Sequence, residues 1–560
     1  MNDSDSDTKT TEEPGGFTRR EALKVSGLAL GGLALGTLGE LVPDSVQADS
    51  QCRADPTDCC PPGPRASFAD KAKAQRYSYF DSLPPFYPFR AATAVNTGQG
   101  SGIVPLGATE MRITFLGSSL PPRTLGQRMM SIFVEVGWDS TRGQPLDQFV
   151  FDCGSGVAAN YGAMNIGPGR MDKIFLTHLH ADHMSDLVHI YCFGPPADRK
   201  SPLWVWGPGR SGVPNPDYPD KSSTQYYEDG TNDFCQHLRE LCRWHSESMS
   251  FETTAYTAYT APTNWTLPQP VQPVGGEPTN DGYSIIPMEL DWDQGQSGDQ
   301  VAYHNPDTGV TISFFPVIHT RKGSIGYKLE WGGLTMIFSG DTKPEQNCLN
   351  QAINRPPNDP NAPGRGVDVF IHEMVPAPQI WAMKSNNLPS LPDENSPGVK
   401  SMVTVQNSSH TPQGAFGYLL SQISPRPRLT VATHFPVADD TVESALASVK
   451  AHCKVYRGNQ RPAGAADAAR LTWSFDRMVI TVSKDRIVEQ KGVADPFGYS
   501  ANYQAPPGTG LDGSGFLTPK YWCTDPATGT PVGDPYAQID TSTEINPCGT
   551  DGCHYAVDGY

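Results

Sequence analysis

Apolar positions in this chain come in short runs between polar segments, and their period changes from place to place. Residues 174–176 (Ile-Phe-Leu) and 312–318 (Ile-Ser-Phe-Phe-Pro-Val-Ile) read as buried strands, because brief β-branched and aromatic runs suit a sheet covered on both faces. Residues 471–491 alternate apolar and polar positions and predict a closing β-hairpin turning near Ser483-Lys484-Asp485. Helical spacing shows at 68–83, again from Met184 onward, and around 233–245, where Cys235 and Cys242 would share a face. Strands alternating with helices over 111–492 predict one α/β layered domain. A polar stretch at 209–300, rich in Tyr, Thr, Pro, Gly and Asp, reads as an insertion of the kind that carries substrate selection on a rigid scaffold.

The ends differ from this middle. Arg19-Arg20 precede a mild Gly/Ala/Leu run and Val46-Gln47-Ala48, an order that reads as a twin-arginine (Tat) signal over 1–48 and predicts a periplasmic or secreted protein. The run is too glycine-rich for a stable span of about 20 strongly apolar residues. Residues 49–110 read as an extension over the core, and 493–560 as a Gly/Pro-rich tail. In an exported chain the terminal cysteines at 52, 59, 60, 523, 548 and 553 are disulfide candidates, whereas Cys153 reads as a buried thiol.

Composition bounds the partners. With 55 glycines, 52 prolines and 37% hydrophobic residues among 560, the chain is loop-rich but able to build a large core. Without residues 1–48 it keeps 38 basic and 52 acidic residues, a net charge of −14 that repels polyanions at long range. The Tat export machinery is an expected partner, and a homodimer is left open.

Chemistry concentrates in residues 177–183, Thr-His-Leu-His-Ala-Asp-His. Three imidazoles and a carboxylate within six residues suit a borderline-soft divalent ion, zinc first. A single tetrahedral ion rarely takes four ligands from so short a loop. The spacing suits two neighbouring ions, His178 and His180 on one, Asp182 and His183 on the other.

This run resembles the signature of the metallo-β-lactamase superfamily. Residues 111–117 (MRITFLG), 151–156 (FDCGSG) and 202–208 (PLWVWGP) narrow the resemblance to its ribonuclease Z and arylsulfatase branch. The resemblance implies an αββα sandwich, two mixed sheets flanked by helices. It implies two further histidine ligands, His319 and His434, and Asp341 of the Ser-Gly-Asp-Thr run as the carboxylate bridging two Zn²⁺ ions, with Mn²⁺ or Fe as other occupants. A water shared by the ions would be the nucleophile. His410 resembles the branch's proton donor or anion stabiliser, and His372 and Glu373 resemble its supporting "IHEA" pair, while Asp182 would serve catalysis as well as ligation. Arg321, Lys322 and Lys343 stand beside ligands, where they either meet an anionic ester or form a solvated face.

The implied activity is hydrolysis of a small anionic ester, a phosphodiester or sulfate ester. Alternatives are a carboxylic-ester or lactone hydrolase, an iron-dependent redox protein and a non-catalytic metal-binding protein. Redox members usually carry glutamate where His180 stands. The branch's tRNA processors carry a long arm between the residues matching His319 and Asp341. Only 21 residues separate them here, reading as two strands joined at Trp331-Gly332-Gly333, so no tRNA is expected as partner.

Overall fold

The computed structural model describes residues 77–494, apart from 89–102, 122–125, 217–224, 250–281, 294–299 and positions 198, 200, 357, 358, 360 and 387. The stretch expected to be an export signal, the six terminal cysteines and the tail from 495 onward lie outside the described residues.

Two mixed sheets, flanked by helices, form the α/β architecture expected. The first runs in the order Pro85–Phe86 (β1), Ile487–Gly492 (β17), Met478–Val482 (β16), Met111–Gly117 (β2), Ser131–Val136 (β3), Asp147–Phe151 (β4), Lys173–Phe175 (β5), Leu203–Pro208 (β6) and Ile285–Leu290 (β7). The second runs Val455–Tyr456 (β14), Ala469–Trp473 (β15), Leu429–Thr433 (β13), Val369–Glu373 (β12), Leu334–Phe338 (β11), Ile325–Trp331 (β10), Val310–Pro316 (β9) and Gln300–Asn305 (β8). Strands β4 to β7 are mutually parallel, as are β11, β12, β13 and β15.

Alternation of side chains along each strand builds both cores. In β4, Phe149 and Phe151 face the second sheet while Val150 faces the outer helices; in β6, Trp204 and Trp206 divide from Leu203 and Val205 in the same way. This explains the unbroken apolar runs, since a strand buried on both faces has no polar face to display. The Phe175 ring stacks on Trp206 of the neighbouring strand at 4.6 Å and, across the interface, meets Tyr327 of β10 edge-on at 5.5 Å. Burying each such ring contributes about 1.5–3 kcal/mol. Cys153 is buried with a free thiol, as expected.

The closing hairpin needs correcting. Residues 469–473 pair with β13 in the second sheet, and only β16 and β17 form the hairpin, in the first. One apolar alternation is thus shared between two sheets. The chain crosses between them at residues 474–477, where the buried Asp476 carboxylate accepts Ser118 Oγ at 2.9 Å, the Arg128 N–H at 2.7 Å and Asn160 Nδ2 at 2.8 Å. Among the described residues of the insertion the one expected helix is two, Thr231–Leu241 and Arg243–Met249, broken at Cys242. The helix expected from Met184 begins earlier, at Ala181–Met184, and resumes at Leu187–Ala197. Among the described residues no helix is long and apolar enough to cross a membrane.

The carboxyl ends of parallel strands β4, β5, β11, β12 and β13 open at one rim between the sheets, where parallel α/β sheets place their ligands. Gly154, just beyond β4, sits so close to the next turn that a Cβ there would lie 1.9 Å from the Asp182 carbonyl oxygen and 2.6 Å from Met129 Cβ. Gly154→Ala must therefore push the Asp182–His183 turn outward. A melting temperature lowered by several degrees and a reduced metal content are expected, both read on purified protein.

Candidate metal centre

Each rim strand delivers one part of a cluster. The turn after β5 brings His178 and His180, and the short helix that follows it Asp182 and His183. Strand β9 leads to His319, β11 to Asp341, β12 ends in Glu373 and β13 leads to His434. Three donor groups result, His178/His180/His319, Asp182/His183/Asp341/His434 and, overlapping the second, Asp341/Glu373/His410/His434, the donor atoms of each lying within 4.8 Å of one another. The seven side chains expected to hold metal, drawn from four stretches of sequence, stand at one place.

Asp341 joins the groups. Its Oδ2 is 3.3 Å from His183 Nε2, 3.3 Å from His434 Nε2 and 4.0 Å from His319 Nε2. Asp182 Oδ2 is 3.6 Å from His183 Nε2 and 3.3 Å from His434 Nε2. His434 and Asp152 are non-glycine residues with positive φ, 55° and 56°. Such backbone persists only where its surroundings enforce it. Gly340 must be glycine on two counts: its φ is 60°, and a Cβ there would lie 2.6 Å from Thr177 Cβ, where the two rims touch.

The protons on these rings can be followed from one residue, Asp152, which the reading of the sequence did not single out. Thr177 donates its N–H to Asp152 Oδ1 at 2.8 Å and its hydroxyl to Oδ2 at 2.9 Å. With its proton spent, the Thr177 oxygen accepts from His178 Nδ1 at 3.0 Å. His183 Nδ1 donates to Asp152 Oδ2 at 2.7 Å, and His319 Nδ1 to the Ser409 carbonyl at 2.8 Å. Each of these rings, when neutral, then carries its lone pair on Nε2, and every Nε2 points into the cluster. His178 Nε2 and His319 Nε2 lie 3.0 and 3.1 Å from His180 Nδ1. Sequence held traces of this: Asp152 ends the apolar strand Phe149-Val150-Phe151 and stands in the 151–156 run that carries the resemblance.

The charges fit a cation. Burial, then the neighbouring imidazoles, holds His178 well below its ordinary range; burial likewise brings His319 down to about 3, so both rings are neutral ligands. Burial alone would push Asp341 up, yet His183 and His434 outweigh it and hold the carboxyl well below the usual range. The buried His183 Nε2 has no hydrogen-bond partner of adequate geometry despite two carboxylates beside it. Burial disfavours a charge on His183, yet Asp341, then Asp182 and Asp152, raise it well above its ordinary range, so a positive charge, whether a proton or a metal ion, belongs between the ring and the carboxylates. The donor set, imidazole nitrogen with carboxylate oxygen, suits zinc and neighbouring divalent ions.

Asp152→Asn offers a check. Asparagine cannot accept from both Thr177 and His183 as the carboxylate does, so the tautomers of His178 and His183 lose their anchor. Zinc affinity, titrated against a competing chelator, is expected to fall by about 10–100-fold. Unchanged affinity would show that Asp152 does not set the ligands.

Beside Asp341 stands a further pair. His410 Nδ1 lies 3.1 and 3.0 Å from the two Glu373 oxygens and 3.9 Å from Asp341 Oδ2. Burial disfavours the charged ring, but Glu373 foremost, then Asp341 and Asp182, raise His410 to about 9. His372 does not join them. Alternation along β12 turns it to the opposite face, packed between the Phe370 and Phe416 rings at 5.3 and 5.7 Å, with Nδ1 on the Glu373 carbonyl at 2.7 Å. The expectation that His372 supports the centre is corrected: of the adjacent pair, only Glu373 reaches it.

Comparison with known proteins adds the following. Residues 147–191 match the metallo-β-lactamase superfamily. A ribonuclease BN of Enterobacter sp. (strain 638) is 33% identical over 98 residues, 18% of this chain and 31% of that protein. That of Cronobacter sakazakii is 35% identical over 100 residues, with the same coverage. The matches thus span under a third of those relatives. Among solved structures, the metallo-β-lactamase fold protein YhfI from Bacillus subtilis is 12% identical, covering 67% of this chain and 100% of that one at a TM-score of 0.36. Human tRNase Z, short form, is 16% identical, covering 66% and 98% at 0.34. The chain carries a metallo-β-lactamase superfamily domain, and its ribonuclease BN likeness fits the ribonuclease Z-like branch.

Proposed function

We propose that this chain is a dinuclear zinc hydrolase of a small phosphodiester or sulfate ester, exported by the Tat route. The observation that carries the reading is Asp341, set between two converging donor groups and beside the His410–Glu373 pair. His178, His180, His319 and Asp341 would hold one ion, and Asp182, His183, Asp341 and His434 the other. Such ions supply Lewis acidity and water acidic enough to attack at neutral pH. The chain's own residues supply the rest. Glu373 holds His410 by Nδ1, which leaves Nε2 as the nitrogen able to give a proton to the departing oxygen. Strands β10 and β11 form a tight hairpin at Gly332-Gly333, which supports a substrate smaller than tRNA.

The test is a panel of chromogenic phosphodiester, sulfate ester and lactone substrates, run on protein purified without added metal and again after chelation. Hydrolysis of a phosphodiester or sulfate ester, lost on chelation and restored by zinc, is expected. Turnover that survives complete metal removal would overturn the reading, and a preference for lactones would move it to the carbonyl class. Export is checked by fractionating cells that carry the wild-type or an Arg19/Arg20 double-lysine leader.

A further inference from the structure

Cys192 lies on helix Leu187–Ala197, which follows the Asp182–His183 turn, and Cys242 in the break between the two helices of the insertion. The two segments meet there. His245 Nε2 stands 2.8 Å from the Cys192 carbonyl oxygen, and the Phe193 and His245 rings meet edge-on at 5.1 Å. Helical spacing puts Cys235, Leu238 and Cys242 on one face, and all three sink into the same apolar cluster as Cys192.

Cys192 and Cys242 are free thiols, and they hydrogen-bond each other. With Cys192 as donor, this contact brings the Cys242 thiol below its ordinary range, while the same contact and then burial raise Cys192. The buried Arg199 guanidinium, bonded to the Ile190 and Gly282 carbonyls at 2.8 and 3.0 Å, adds positive charge beside Cys192. Among the six described cysteines these two are the most exposed, at 6% each, against 4% for Cys453 and 0% for Cys153, Cys235 and Cys348. A dissolved thiol reagent therefore reaches this pair most readily.

We propose that Cys192 and Cys242 form a redox-sensitive disulfide that fastens the insertion to the helix behind the metal turn. The oxidant is a small-molecule disulfide such as oxidised glutathione. The Cys242 thiolate attacks one glutathione sulfur and expels the other as a thiolate. Cys192 then gives up its proton, attacks the Cys242 sulfur of the mixed disulfide and expels the second glutathione. Two protein thiols lose two protons and two electrons, and one glutathione disulfide becomes two thiols. The insertion is already held on its other side, where Arg321 of the His319 loop forms an ion pair with Asp229. Tyr227 and Phe234 line a cavity between these two attachments and beside His178, His180 and His319, so the new bond would steady that wall.

The experiment equilibrates the full-length protein with oxidised or with reduced glutathione, blocks the remaining thiols and maps tryptic peptides by mass spectrometry. Cleavage puts Cys192 in 174–199, Cys235 in 222–239 and Cys242 in 240–243, so each pairing has its own linked mass. A link between 174–199 and 240–243 is expected after oxidation and not after reduction. Oxidised wild type should melt several degrees above Cys192→Ser and Cys242→Ser treated alike, and reduction should narrow that gap. If either serine variant fails to fold, the wild-type map still decides the pairing. Absence of the link, or Cys242 joined to another cysteine instead, would overturn the proposal. A link formed with no narrowing of the gap on reduction would show that the bond fastens nothing.

Discussion

Asp341→Ala is expected to lose the metal of the proposed centre and all measurable turnover. One carboxylate oxygen stands 3.3 Å from each of two imidazole nitrogens and 4.0 Å from a third. Two cations held by these neighbouring donor groups would repel each other, and the Asp341 carboxylate would offset this with its negative charge. Alanine removes that charge and leaves His183 and His434 with Asp182 alone among the carboxylates of their donor group. The loss should exceed the about 10–100-fold that removing a supporting partner of a ligand costs. Metal analysis together with turnover checks it. A variant that keeps both ions would show that Asp341 does not bridge.

His410→Ala should keep its metal and lose about 10²–10⁴-fold in turnover, the range of a positioned general acid. Substrates with a good leaving group, which need no proton, should suffer least. The pH profile carries the sign. A general acid works only while protonated, so wild-type activity should fall as pH rises through the His410 pKa. That pKa is about 9 with Glu373, Asp341 and Asp182 all bearing on it. Cations on Asp341 and Asp182 would cancel part of that pull and bring the alkaline limb down toward neutrality, with Glu373 the partner that persists. Glu373→Gln should shift the limb to lower pH still, and His410→Ala should abolish it. Metal loss equal to that of Asp341→Ala would show His410 to be a ligand instead.

The adjacent pair His372 and Glu373 shows what a sequence leaves open. A residue in a strand faces one side or the other, and which side depends on register with neighbouring strands. Glu373 reaches His410, and His372 packs on the Phe416 side. The 471–491 alternation failed for a related reason: period tells that a segment is extended, not which sheet it joins. The 151–156 run does not by itself reveal what Asp152 does, because its role lies in hydrogen bonds to Thr177 and His183, which stand 25 and 31 positions away.

The sequence by itself determined the chemistry of the donors. Imidazole and carboxylate at 178–183, and at 319, 341 and 434, are covalent facts, and the apolar runs beside them suffice to place each at a strand end. Tertiary structure alone decided the rest: the tautomers set by Asp152, the face chosen by Glu373, and the insertion wall that Arg321 and Asp229 draw over the donors. Those are matters of distance between segments far apart in the chain. They arise only when two twisted sheets pack and bring their rims within hydrogen-bond reach.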